Sequence, residues 1–187
     1  MKEKRILPTT IQEITVKDYM MFRNLVKLYG EDDGKLQLEI IKYFTGGLDL
    51  PVTVGTAFVE NLLAQMFKDP LFIQTFEYDG ILYGFIPNFD DITTGEFIDI
   101  ETYQTDENSI HKLLSILYRP IDGKIDKNGN YKIKPYEGTK NSDVFLNVSV
   151  ELYLGCMVFF YTLETELEQL LPIYSKNKMK LKKKKIQ

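Results

Sequence analysis

Five carboxylates in the middle of this 187-residue chain are the side chains best suited to hold a metal ion. They are Asp90, Asp91, Glu96, Asp99 and Glu101. Hard cations such as Mg²⁺ and Ca²⁺ prefer several oxygen ligands. The stretch lacks an Asp-x-Asp-x-Asp-Gly loop, and its acids alternate with Phe97, Ile98 and Ile100, which is typical of the solvent side of an extended segment. A small metal-dependent enzyme using the Asp90–Glu101 carboxylates is therefore a second alternative function, behind two that do not need a metal.

The only histidine and the only cysteine add little catalytic machinery. Because His111 is the only histidine, a site with several histidine ligands is excluded. Its place just before Leu113 in a helical pattern favours packing or hydrogen bonding. Cys156 lies between Gly155 and Met157 on an apolar helix face, which predicts a buried, unreactive thiol. The sequence contains neither of the glycine-rich nucleotide-binding motifs. We therefore expect no catalytic residue, no cofactor, no metal and no enzymatic activity.

A block of lysines at the C-terminus is the strongest candidate binding segment. Residues 176–187, the lysine tail, hold seven of the 23 basic residues and none of the 27 acidic ones, so residues 1–175 carry 16 basic against 27 acidic residues. Such a block is either solvated or a contact for an anionic partner. The acidic body of a neighbouring copy is one such partner, and DNA phosphates are another. The candidate contact residues are Lys178, Lys180, Lys182, Lys183, Lys184 and Lys185.

A second candidate contact is a polar hairpin around the sequence Lys127-Asn128-Gly129-Asn130. The Asn-Gly dipeptide is typical of two-residue hairpin turns, and residues 124–126 and 131–134 flank it as strands. Because both strands are polar on both faces, we expect this hairpin arm, residues 124–134, to protrude. Its candidate contact residues are Asn128, Gly129 and Tyr131.

Apolar residues recur at helical spacing in five segments, which predict most of the core. The first helix runs from about 16 to 29 behind a capping box at Thr15. The second follows Asp32 and ends at Gly46-Gly47. The third is capped by Thr53 or Thr56 and stops at Asp69-Pro70.

The last two predicted helices carry the residues that we expect in the core. The fourth is capped by Thr105-Asp106 and stops at Arg119-Pro120, and the fifth spans roughly 148–170. The expected core residues are Leu113, Leu114, Leu117, Leu154 and Val158.

Strands are predicted in the middle of the chain. Residues 72–78 and 81–86 are β-branched and aromatic runs joined at Asp79-Gly80, which predicts a β-hairpin. Residues 95–101 suggest a further short strand or extended segment. The predicted fold class is α+β, with a mainly helical core of about five helices and two β-hairpins, one of them a protruding arm. We expect one α+β domain over 1–175, a basic tail over 176–187, synthesis in the cytoplasm and no membrane contact.

Two segments resemble small virion and assembly proteins of tailed bacteriophages, in particular Bacteroidetes phages of the crAss-like group. The first comprises residues 95–103 and 110–121, and the second is residues 150–160, where Gly155 precedes Phe159-Phe160. The resemblance implies a virion structural protein, a multi-copy component of the head–tail connector or tail. Its partners would be copies of itself and the portal, ring or tail proteins. The alternative is a tail or baseplate assembly chaperone that is absent from the mature virion.

Overall fold

The structure, a computed structural model, describes residues 8–47, 51–66, 70–163 and residue 165. The lysine tail and the end of the last predicted helix lie outside these residues. Within them the fold is α+β, as predicted, with a mainly helical core beside an antiparallel sheet. The helices are α1 (Val16–Tyr29), α2 (Asp33–Thr45), α3 (Val52–Met66), α4 (Thr94–Tyr103), α5 (Ile110–Leu117) and α6 (150–163). No described helix is both long enough and apolar enough to cross a membrane.

Local capping residues determine where the first helices begin and end. At the start of α1 the Asp18 amide donates to Thr15 Oγ1, and the Thr15 amide donates to the Asp18 carboxylate, each at 3.1 Å. Gly46 ends α2 in the left-handed conformation, with φ of 69°. Helix α3 begins before the predicted caps Thr53 and Thr56, because the carbonyl of Pro51 already accepts from the amides one turn ahead. Proline is tolerated at the start of a helix, where an N–H would have no partner within the helix.

The sheet has the strand order β1 (Thr75–Tyr78), β2 (Ile81–Phe85), β3 (Tyr118–Asp122) and β4 (Lys132–Ile133), with every pair antiparallel. The predicted β1–β2 hairpin is confirmed, and its Asp79-Gly80 turn has positive φ at both residues. The second hairpin differs from the prediction. Its first strand is β3 rather than residues 124–126, because Ile121 pairs with Ile133 and leaves 124–130 as a loop.

The predicted strand over residues 95–101 is wrong, since these residues belong to α4. A capping box stabilises the start of this helix. The Thr93 amide donates to a Glu96 carboxylate oxygen at 2.7 Å, and the Glu96 amide donates to Thr93 Oγ1 at 3.2 Å. Helix α5 begins later than predicted, with Ser109 at its N-cap instead of Thr105-Asp106. The chain before it turns tightly, because the Ser109 amide donates to the Asp106 carbonyl at 2.8 Å.

Two adjoining apolar cores hold the elements together. One lies between the sheet, α5 and α6, and the other lies among α1, α2 and α3, with Tyr19 and Tyr153 packed against both. Leu113, Leu114 and Leu117 are buried, as predicted. Leu154 is half-buried against the second core, whereas Val158 is exposed, contrary to the prediction.

A short backbone pairing joins the two ends of the described chain. The Val16 amide donates to the Val148 carbonyl at 2.9 Å, and the Val150 amide donates to the Ile14 carbonyl at 2.8 Å. Ile14, Val16 and Val150 are almost fully buried. The starts of α1 and α6 are therefore fixed together inside the protein.

Candidate interaction surface

The tip of the hairpin arm is a loop organised by one side chain, Asp126. Its carboxylate accepts hydrogen bonds from the amides of Asn128 and Asn130, both at 2.8 Å, and from Asn130 Nδ2 at 2.9 Å. These bonds, led by the one from the Asn130 side chain, lower the pKa of Asp126 below its ordinary value. Gly129 closes the turn with φ of 84°. The candidate residues Asn128 and Gly129 are thus exposed on a loop of defined shape.

The third candidate of the hairpin arm, Tyr131, is not an exposed contact. Its side chain is buried, and its hydroxyl donates to the Phe85 carbonyl at 2.9 Å, with the Gln74 carbonyl as a second acceptor at 3.3 Å. A tyrosine can bury its ring in the core while its hydroxyl donates to a backbone carbonyl. An otherwise polar segment can therefore still contribute one large buried ring. Tyr131 therefore anchors the arm to β2 instead of meeting a partner.

A groove of about 530 Å³ opens beside the arm, between β3 and residues 134–145. Tyr83, Tyr118 and Phe145 are buried residues of its lining, and Lys134 and Tyr136 also line it. Of these residues, Lys134 is exposed and Tyr136 is partly exposed, so they are the ones that could contact an acidic or an apolar group of a partner.

A buried ion pair connects α4 to the sheet at this place. Arg119 Nη2 lies 2.8 Å from a carboxylate oxygen of Glu96, and the two side chains are 13% and 3% exposed. Burial lowers the pKa of Arg119, and the charge of Glu96 opposes that effect. A buried charge that lost its partner would be costly, so this pair fixes the position of α4 over β3.

The candidate metal carboxylates are spread over different contacts. Glu96 faces Arg119, and Asp99 accepts a hydrogen bond from the Tyr136 hydroxyl. Asp91 accepts from Asn88 Nδ2 at 3.0 Å, while Glu101 is exposed. Among the residues that the structure describes, no three His, Cys, Asp or Glu side chains are grouped so as to hold a metal ion.

The single histidine and cysteine lie in separate environments. Cys156 is fully buried and its Sγ is 3.5 Å from the hydroxyl oxygen of Tyr118. Burial raises the pKa of Cys156 to about 12, so the thiol stays protonated near neutral pH. Burial also lowers the pKa of His111, with a smaller contribution from Lys112. Among residues 8–47, 51–66 and 70–163, neither side chain has a partner that would make it a nucleophile or a general base.

One exposed surface was missed at the sequence level. Phe97 and Ile98 on α4 are each 56% exposed, although the adjacent Glu96 is buried. A signal was available in Thr93-x-x-Glu96, which is a capping box and predicts a helix. Once α4 is a helix with Glu96 inside, Phe97 and Ile98 must lie on other sides of it.

The candidate lysines Lys178, Lys180, Lys182, Lys183, Lys184 and Lys185 lie outside the described residues. Comparisons of the chain with models of protein families, with curated proteins and with solved structures find no match.

Proposed function

We propose that this chain is a multi-copy virion structural protein of a tailed bacteriophage, placed at the head–tail connector or in the tail. The observation that carries the proposal is the hairpin arm. Its tip is exposed and is organised by hydrogen bonds to Asp126, while Tyr131 anchors its base in the core. A loop that is already ordered loses little conformational entropy on binding, so it suits repeated contacts between subunits.

The residues that carry the resemblance to phage assembly proteins have structural roles here, which supports the proposal. At Gly155 a Cβ would lie 2.6 Å from the Leu71 carbonyl oxygen, so glycine allows α6 to approach that backbone. Phe159 stacks on Phe72 with ring centroids 4.6 Å apart, and Phe160 packs beside it at 5.5 Å. These residues serve packing, which is compatible with the structural role that the resemblance implies.

The division of charge supports self-association as the mechanism. An acidic body and the lysine tail on every copy give each subunit two complementary surfaces. Contacts between unlike surfaces repeat around a ring if the rotation closes. The proposed partners are therefore other copies and neighbouring virion proteins.

Composition of the virion tests the assignment. Quantitative mass spectrometry of purified particles should find the protein at a fixed copy number relative to the portal or tail proteins. Presence in infected cells with absence from mature particles would contradict a structural role and would favour the assembly chaperone.

Light scattering tests the role of the lysine tail. In the full chain with all seven tail lysines changed to glutamine, we expect smaller assemblies than in wild type at low salt. Wild type should approach the variant near 0.5 M salt, where the screening length is only about 4–5 Å. Circular dichroism controls for folding.

A second readout separates protein from DNA as the partner of the tail. If the glutamine variant assembles like wild type but no longer binds DNA, the tail is a DNA contact and self-association does not depend on it.

A further inference from the structure

Helix α4 presents apolar residues to solvent while it buries an acid. Phe97 and Ile98 are each 56% exposed, whereas Glu96 of the same helix, which pairs with Arg119 of the sheet, is 2% exposed. A surface helix normally has the opposite arrangement. The position of Glu96 is explained by its pairing with Arg119 and by the Thr93 cap. Nothing within the described residues explains the outward position of the two large apolar side chains.

The stretch of sequence that contains this face is acidic, although Lys132 and Lys134 of the hairpin arm line a pocket together with Asp91. Residues 70–111 contain nine Asp and Glu residues and no lysine or arginine. Asp90 and Asp91 are exposed in the turn just before α4, and Glu101 is exposed one turn after Phe97 and Ile98. The outer α4 face, defined as Phe97, Ile98 and Glu101 with Asp90 and Asp91 just before the helix, therefore combines two exposed apolar side chains with three exposed carboxylates.

The lysine tail has the complementary composition. Met179 and Leu181 alternate with Lys178, Lys180 and Lys182, so one short segment offers apolar and cationic side chains together. We propose that the outer α4 face binds the lysine tail of a second copy of this chain, an inference that rests on the proposed function. Met179 and Leu181 cover Phe97 and Ile98, and the lysines meet the flanking carboxylates.

Binding between copies makes each subunit a donor and an acceptor. Every copy carries one tail and one outer α4 face, so the contact joins unlike surfaces and can repeat from subunit to subunit. The apolar part gives the contact stability that salt does not remove, whereas the charged part orients the approach.

Crosslinking of the full chain locates the contact. A 1:1 mixture of unlabelled and ¹⁵N-labelled chains is treated with a carbodiimide, which joins lysine amines to carboxylates without a spacer. We expect mixed-isotope crosslinks from the tail lysines to Asp90, Asp91 or Glu101. Crosslinks to these acids only within one isotope would show that the tail folds back on its own chain and would overturn the proposal.

The same spectra separate this inference from the proposed function. Mixed-isotope crosslinks from the tail to acids on other helices, such as Asp33, Glu39 or Glu60, would overturn the α4 acceptor and leave a multi-copy assembly standing. Virion composition tests that assembly independently.

A matched pair of full-chain variants tests the apolar part. Phe97→Ser with Ile98→Ser should lower the self-association constant at least tenfold in sedimentation velocity. The control, Leu28→Ser with Val54→Ser, removes two exposed apolar side chains from other helices and should leave the constant within about twofold, since isolated exposed residues contribute little. Circular dichroism establishes that both variants are folded. Equal effects of the two variants, or none, would overturn the proposal.

Discussion

The ring of Tyr131 lies against the backbone of Gly84. A Cβ at position 84 would stand 2.3 Å from Tyr131 Cε2 and 2.9 Å from Cδ2. Gly84 is on β2 and Tyr131 is just before β4, so the ring crosses over the sheet to reach its hydrogen-bond acceptor at Phe85. The absence of a side chain at one residue thus permits the anchoring of the whole hairpin arm.

We expect Gly84→Ala to lower the free energy of unfolding by about 1–3 kcal/mol, because the new methyl group displaces an anchored ring. Gly95→Ala is the matched control. A Cβ at position 95 meets nothing within 4 Å and lies in a helix, so this change should be neutral or stabilise by up to about 1 kcal/mol. Urea denaturation of both variants measures the difference in the free energy of unfolding. Equal midpoints would show that the Tyr131 ring moves aside without a loss of stability.

The ion pair between Arg119 and Glu96 predicts a strong coupling energy. Arg119→Met alone should cost about 3–5 kcal/mol, because it leaves the Glu96 charge buried without its partner. The double variant with Glu96→Gln should recover part of that loss. A double-mutant cycle by chemical denaturation gives the coupling, and strictly additive effects would contradict a pair that positions α4.

Cys156 should be unreactive in the folded protein. Because burial raises its pKa to about 12, a thiol reagent at pH 8 should react many times more slowly with native than with unfolded protein. Rapid native labelling at the denatured rate would place the thiol at the surface.

The same pKa gives a pH dependence of stability. The unfolded thiol loses its proton near its ordinary pKa of about 8.5, whereas the folded thiol keeps it until about pH 12. The contribution to stability is therefore complete below about pH 8.5 and is lost between about pH 8.5 and 12. Over this range the stability of Cys156→Ala should fall less steeply than that of wild type, as measured by urea denaturation at several pH values.

Leu114→Ala should lower the free energy of unfolding by roughly 2–5 kcal/mol, since Leu114 has no exposed surface and its loss leaves a cavity. Leu28→Ala is the control, because Leu28 is 71% exposed and its removal should change stability by less than about 0.5 kcal/mol. A cost at Leu114 as small as that of the control would mean that the face of α5 is not packed.

The parts of the fold that are determined by residues close together in the sequence were predictable. Thr15 and Asp18 form the start of α1 within one turn, and Asp79-Gly80 forms the first hairpin turn, so three or four residues determine each. Helix α4 was mistaken for a strand because Phe97 and Ile98 face outward, which removes the apolar periodicity that marks a helix.

Strand β3 and the anchoring of the hairpin arm depend on distant contacts. Pro120 lacks an amide and normally excludes a central strand, but here its carbonyl accepts from the Lys134 amide at 2.9 Å and the strand persists. The burial of Tyr131 requires Gly84 at the right place in β2, and no local pattern connects these residues. The hairpin turn was therefore foreseeable, but its register and its buried tyrosine were not.

The pairing of Ile14 and Val16 with Val148 and Val150 affects how this protein folds during its synthesis. A ribosome adding about 5–20 residues per second needs roughly 7–27 s to pass from Val16 to Val150. For that time the nascent α1, α2 and α3 lack Val150, a fully buried residue of their core. The N-terminal helices therefore remain incompletely packed on the ribosome, and their native core closes only after Val150 has been synthesised and has left the ribosome.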